Sequence, residues 1–350
     1  MTSAVIAGVG GALPSNRVSN ADLALRMDTT DEWIRTRTGI GARYWAEGVS
    51  TGDLAYAAGR QALDSAGLEE VDIVIVATTT PDYRCPATAP SVAARLGLGT
   101  VPAFDLAAVC SGFVYALATA KGYIAGGLAR SALVIGAETY STILNPNDRT
   151  TSVIFGDGAG ACVLRAGTDG EIGRLYEVDL GSDGSGGSLI QIPGGGSYQA
   201  AHPESDSGPY FTMQGRDVFH SAVTRMSRSS RAALERTGWE PRDVDWIVGH
   251  QANQRILHAL ADQLGVDRSN LVSNLDRVGN TSAASIPLAL IHGARELNMR
   301  GGDKLLLTAF GGGTTWGSIS LTWPEIVVAA PVSVSSDERN GDRDESRIYS

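Results

Sequence analysis

The chain repeats itself, and that constrains its fold more than any other feature. Glu240–Val248 (EPRDVDWIV) echoes Glu69–Val76 (EEVDIVIV), and Leu257–Val266 echoes the helical stretch Pro90–Leu98. Ser273–Asn280 (SNLDRVGN) echoes Ala103–Cys110 (AFDLAAVC). Asn298–Ala309, with its strand KLLLTA, echoes Gly127–Ala137 with ALVIGA, and Gly311–Leu321 (GGGTTWGSISL) echoes Gly156–Leu164 (GDGAGACVL). The spacings nearly agree: 38 positions separate Asp72 from Cys110, and 35 separate Asp245 from Asn280. A duplicated α/β unit predicts two like halves packed about a pseudo-two-fold axis. Alternating strands and helices in each half predict a mostly parallel sheet covered on both faces. The continuous β-branched run Val71–Thr78 (VDIVIVAT) reads as a strand buried on both sides. In such folds, strand C-termini and the helix N-termini after them build the site. Cys110 and Asn280 then fall at equivalent turns, and His250 follows the other buried strand. All three are expected in one cleft.

Other elements read off as strands Ser3–Gly8, Ala103–Leu106 and Ser131–Ala137, and as helices Leu54–Ala66 (stopped by Gly67), Ser111–Ala125 and Val218–Thr237. Residues 181–210, rich in Gly, Ser and Pro, read as a surface loop. The expected division is a nucleophile-bearing half at 1–170, a connecting loop region at 171–212, a His- and Asn-bearing half at 213–330 and a disordered tail at 331–350. The tail expectation rests on SVSSDERNGDRDESRIYS, which has little to bury.

A formal net charge of −10 argues against nucleic acid as the main partner. No run of 18 apolar residues predicts a membrane span, and the N-terminus lacks a signal-peptide pattern, so a cytoplasmic protein is expected. Three cysteines (Cys85, Cys110, Cys162) are too few and scattered for a disulfide framework or zinc site, so no metal is expected. Only Lys121 and Lys304 are available for Schiff-base chemistry. GDGAGA (156–161) lacks phosphate-loop spacing and a following Lys.

A thiol at a helix N-terminus feels the positive end of the macrodipole, which predicts a lowered pKa for Cys110 and a nucleophile. The same residue also reads as a small buried hydrophobe. Cys162, mid-strand, and Cys85, beside a proline, read as packing residues. His250, in GHQAN after a strand, reads as an acid, base or donor, or as a satisfied structural His. Asn280 alone reads as a helix cap. Gly311-Gly312-Gly313 either turns a hairpin or brings the Gly312 N–H to an oxyanion, together with that of Cys110.

Taken together, DEWIRTRTGI (31–40), FDLAAVCSGF (104–113), DRTTSVIFGDGAGA (148–161), GHQANQRI (249–256), DRVGNTSAASIP (276–287) and AFGGGTTWGS (309–318) resemble the thiolase-fold condensing enzymes, most closely the β-ketoacyl-ACP synthase III family. The resemblance spans about residue 3 to about residue 323. It implies duplicated βαβαβαββ halves in a five-layer αβαβα arrangement and a homodimer without a cofactor. It also implies an acyl primer passed from acyl-CoA to Cys110, then decarboxylative condensation with malonyl-ACP. His250 and Asn280 would bind the malonyl thioester carbonyl. The amides of Cys110 and Gly312 would hold the oxyanion. Trp33, Arg37 and Arg149 would grip the adenine end of coenzyme A, Asn253 the pantetheine arm, and Arg255 the carrier protein.

Helix 218–236 carries Arg225, Arg228, Arg231 and Arg236, a basic face for the carrier or simply a solvated one. Departures are Cys85 where family members often carry Phe, a residue that closes the partner's acyl pocket, and His220 and Arg216 where the family often has Lys and Asn. The smaller Cys85 implies a primer longer or more branched than acetyl. Rival readings are a starter-unit condensing enzyme or acyltransferase of secondary metabolism, a non-catalytic scaffold subunit, and a hydroxymethylglutaryl-CoA synthase-like enzyme, for which no acidic base is placed by motif.

Overall fold

A computed structural model of the chain describes residues 2–205 and 208–336. The first half runs β1 (Ser3–Pro14), β2 (Arg17–Ser19), α1 (Asn20–Ala24), α2 (Asp31–Thr38), β3 (Ala42–Tyr44), α3 (Thr51–Ala66), β4 (Val74–Ala77), α4 (Thr88–Arg95), β5 (Ala103–Leu106), α5 (Gly112–Ala125), β6 (Ser131–Glu138) and β7 (Gly158–Gly167). Next come β8 (Leu175–Ser182), β9 (Ile190–Gln191), α6 (Ser197–Ala201) and β10 (Thr212–Met213). The chain closes with α7 (Gly215–Thr237), β11 (Trp246–Gly249), α8 (Gln254–Leu264), α9 (Leu275–Val278), α10 (Ser285–Glu296), β12 (Lys304–Gly311), β13 (Thr315–Thr322) and β14 (Val332–Val334).

Period-two alternation of β4 builds the layers. Val74 and Val76 pack with Leu54, Leu63 and Val92 of α3 and α4. Ile75 and Ala77 face Phe113, Leu117, Ile286 and Leu290 of α5 and α10, which also pack on Val248, Leu305 and Leu307 of the second sheet. Ile247 and Leu306 of that sheet meet Met226, Leu257 and Leu260 of α7 and α8. Five layers result, with α5 and α10 at the centre, as the resemblance implied. On the outer side α3 lies close against β1, because a Cβ on Gly8 or Gly10 would come within 2.5 Å or 2.4 Å of α3 backbone oxygens.

The sheets are mixed rather than mostly parallel. In the order β14-β1-β7-β6-β4-β5, the β1–β7 and β6–β7 pairs are antiparallel. In β11-β12-β13-β8, only β11–β12 is parallel. Each half thus returns through a hairpin strand, which needs no crossover helix.

Three sequence expectations change. The echo of β5 at Ser273–Asn280 is not a strand but holds the short helix α9, and the strand's place is taken by a single parallel bridge, Ile247 to Leu271. The Gln251 amide bonds the Val272 carbonyl and the Asn274 N–H, occupying groups a longer ladder would use. The 181–210 stretch is not all loop, since it contains β9 and α6, and β9 pairs with β10. The tail is ordered at its start, because Val332–Val334 pair in parallel with Ala12–Pro14. Residues 337–350 of the expected tail lie outside the described residues.

Candidate active site

Two sister turns form the centre. Val109–Ser111 is a single 3-10 turn opening α5, and Ser282–Ala284 is one opening α10. Val109 and Ser282 both have φ of +48°, an uncommon conformation for non-glycine residues. Ser111 N–H donates to Ala108 and Ala284 N–H donates to Thr281 in the same way. Asp72 and Asp245 are likewise equivalent: each carboxylate accepts from the backbone at the start of its neighbouring strand, Ser131 or Lys304. These pairs share one offset of 173 positions. Cys110 is therefore the counterpart of Ala283, not of Asn280. Asn280 occupies the sister turn three residues earlier, which accounts for the spacings of 38 and 35.

Strand ends meet the turns crosswise. The end of β12 packs against the Cys110 turn, and the end of β6 against the Ser282 turn. A Cβ on Gly311 would lie 2.8 Å from the Cys110 nitrogen, so only glycine lets β12 come this near. The last residue of β6, Glu138, is buried and accepts from Ser282 Oγ (2.9 Å), Thr79 N–H (3.0 Å) and Thr80 Oγ1 (2.8 Å). Asn280 is buried, and its Oδ1 accepts from the Ser282 N–H (2.9 Å). The Asn280 backbone pairs with Ile154 and Gly156.

His250 follows β11, its N–H bonded to the Thr308 carbonyl of β12. Its Nδ1 lies 2.6 Å from Ser285 Oγ. That oxygen also accepts from the Gln251 N–H, and in the tautomer with the ring proton on Nε2 its hydroxyl donates to Nδ1. Burial pushes the His250 pKa down to about 3, so the ring stays neutral. It is a neutral imidazole rather than an imidazolium.

The Cys110 thiol is pushed up to about 12, first by burial, with the Glu138 carboxylate adding to the rise and the Ser282 hydroxyl opposing it. The lowered pKa expected from the helix start is therefore not found: the loss of hydration outweighs the dipole. Glu138 is itself raised to about 7 by burial, against the hydrogen bonds it accepts. Alkylation of the resting protein at Cys110 by iodoacetamide should rise about tenfold per pH unit from about pH 6.5 to 9 without a plateau. Intact mass read against a Cys110→Ala control checks this, and a plateau near neutral pH would mean a resting thiolate.

A cavity of about 640 Å³ opens beside the Cys110 turn, lined by Val109, Gly312, Thr315, Ile190, Tyr83 and Ala87 among others. Cys85 does not line it. Cys85 is exposed on the loop before α4, which corrects its reading as a packing residue: among the described residues nothing covers it. Cys162 is buried inside β7, as packing requires.

Outside that lining the structure brings Trp33, Arg37 and Arg149 together. The two guanidinium carbons lie 4.7 Å and 5.3 Å from the Trp33 ring centre, and Arg149 pairs with Asp28. Asn253 caps α8 and donates to the Arg37 carbonyl, while Arg255 donates to that of Thr36. Both therefore tie α8 to α2. Of the four arginines read along α7, Arg225 pairs with Asp183 and Arg236 with Asp179, while the Arg231 guanidinium donates to the Gln263 carbonyl. Sequence reasoning missed Glu138 and Ser282. The available signal was an acid closing an apolar strand (SALVIGAE) and a Ser two residues past Asn280.

A duplicated five-layer fold with this pair of turns defines the class of thiolase-fold condensing enzymes. Residues 104–184 match the model of the 3-oxoacyl-[acyl-carrier-protein] synthase III family, and residues 234–323 match its C-terminal model. β-Ketoacyl-[acyl-carrier-protein] synthase III 5 of Streptomyces coelicolor is 62% identical over 324 residues, covering 92% of this chain and 98% of that protein. The crystal structure of 3-oxoacyl-(acyl carrier protein) synthase III from Pseudomonas aeruginosa superimposes with a TM-score of 0.88 at 51% identity, covering 93% and 99%. A priming β-ketosynthase from a polyketide biosynthetic pathway gives 0.86 at 35% identity, covering 92% and 97%. The chain belongs to the β-ketoacyl-acyl-carrier-protein synthase III family.

Proposed function

We propose that the chain condenses an acyl-CoA primer with malonyl-ACP to give β-ketoacyl-ACP. The observation that carries this reading is the convergence of the Cys110 and Asn280 turns at the heart of the fold, with a neutral His250 at the adjoining strand end. Cys110 Sγ attacks the primer's thioester carbonyl. Its proton leaves with coenzyme A as the free thiol, and the acyl group stays as a thioester. The amides of Cys110 and Gly312 hold the oxyanion. Malonyl-ACP then loses CO₂, and His250 Nε2 and Asn280 Nδ2 donate to the enolate oxygen. The enolate carbon attacks the acyl carbonyl, the C–S bond breaks, and Cys110 leaves as the thiolate and takes a proton from water. Nothing in these steps requires a metal or redox group.

Trp33, Arg37 and Arg149 offer a stacked, cationic face for adenine and phosphate. Asn253 keeps one amide hydrogen for the pantetheine arm, and Arg255 lies beside it for the acidic carrier. The chain works as a cytoplasmic homodimer, with Cys85 reaching its partner's acyl pocket and the two halves divided near residues 171–212. Among the described residues no helix is long and apolar enough to cross a membrane.

A second reading, priming of a polyketide rather than a fatty acid, is favoured by the likeness to the priming β-ketosynthase and by the small Cys85. Incubation with a panel of acyl-CoAs, followed by malonyl-ACP, tests both. One chain length or branching pattern should appear as a protein adduct and then discharge with CO₂ release and a β-ketoacyl product. Acyl exchange without CO₂ would sink the condensing reading, and preference for acetyl would sink the larger primer.

A further inference from the structure

The pseudo-symmetry assigns a role to a residue outside the expected catalytic set. Glu138 and Gly311 are equivalent strand ends, and Ser282 and Val109 are equivalent turn residues, each pair 173 positions apart. Where β12 ends in glycine to admit the nucleophile turn, β6 ends in a carboxylate that spans to the sister turn. Where the first turn carries Val109, the second carries a hydroxyl that meets that carboxylate. Two substitutions at symmetry-related places thus make one contact, which exists in one half only.

We infer that Glu138 is a positioning residue for Asn280, acting through Ser282. The Ser282 hydroxyl donates to Glu138 Oε1 (2.9 Å), which fixes a turn residue held at φ +48°. With that turn fixed, the Ser282 N–H donates to Asn280 Oδ1 (2.9 Å). An amide whose oxygen is so engaged presents its NH₂, the end that donates to an enolate. Glu138 is in turn held by Thr79 N–H and Thr80 Oγ1, and Thr80 Oγ1 also accepts from the Thr139 N–H. The chain of contacts runs from the C-terminal edge of sheet one to the amide, and each member is buried or half-buried.

This inference rests on Asn280 serving the condensation half-reaction, so the test follows the two halves separately. Acylation of Cys110 by acyl-CoA is read by intact mass, and CO₂ release with β-ketoacyl product by the second half. Glu138→Ala and Ser282→Ala should each slow condensation about 100-fold, the scale of a misplaced catalytic group, and change acylation far less and in opposite directions, because the Glu138 carboxylate raises the Cys110 pKa and the Ser282 hydroxyl lowers it. Glu138→Gln keeps an acceptor for Ser282 and should recover most of the loss. Equal slowing of both halves, or of neither, overturns the inference. Should Glu138→Ala fail to fold, Ser282→Ala, which removes a single hydroxyl, decides. Asn280→Ala is the control: if it does not separate the halves, the reading of Asn280 has failed rather than that of Glu138.

Discussion

Cys110→Ala should take up no acyl group from any acyl-CoA, and condensation should fall by about 10⁴-fold or more, as when the nucleophile of a covalent mechanism is removed. The reason is positional as well as chemical. The thiol sits on a rigid turn between β5 and α5, backed by Gly311, and the other two cysteines cannot stand in for it. Cys162 is enclosed in β7, and Cys85 is exposed and does not itself line the cavity, although its loop neighbours Tyr83 and Ala87 do. Malonyl decarboxylation without product should nevertheless persist at a measurable rate. His250 is oriented by Ser285 and Asn280 by Ser282, and neither contact passes through the sulfur. Intact mass and CO₂ release on the same sample give both readings, and an undiminished adduct in the variant would place the nucleophile elsewhere.

Gly311→Ala is the second large effect. The added methyl would lie 2.8 Å from the Cys110 nitrogen, 3.0 Å from that of Ser111 and 3.1 Å from the Ala108 oxygen. All three are backbone atoms, so no side chain can swing aside, and either β12 or the nucleophile turn must move. Overpacking of this kind costs about 1–3 kcal/mol. A displaced thiol and amide should lower acylation about 100-fold or more. Gly170→Ala, where a methyl meets nothing within 4 Å, is the matched control and should be silent. Thermal unfolding and the acylation rate are the measurements. A Gly311→Ala protein as stable and active as the control would show that the close approach is dispensable.

Much of this site could be read from residue order because it is built by repetition. A strand such as VDIVIVAT betrays its burial by composition, and duplication ties Cys110, Asn280 and His250 to strand ends before any coordinates. What stayed hidden was register and environment. The counterpart of Cys110 is Ala283, yet Ala283 attracts no notice, whereas Asn280 does, so pairing by chemical interest slipped the alignment by three. Glu138 was invisible as a partner because its contact, Ser282, is 144 positions away. The thiol's raised pKa depends on enclosure by both halves, which a helix-start argument does not contain. Val332–Val334 read as tail because three residues of a parallel edge pair carry no periodic signal of their own.

That short terminal strand has a consequence for how copies of the chain can join. With β14 laid along the end of β1, the sheet β14-β1-β7-β6-β4-β5 has a three-residue strand at one margin and the four-residue β5 at the other. An edge that short offers another chain only a few unpaired backbone groups. Copies that meet margin to margin must therefore draw most of their hold from side chains beyond the sheet rather than from a continued ladder.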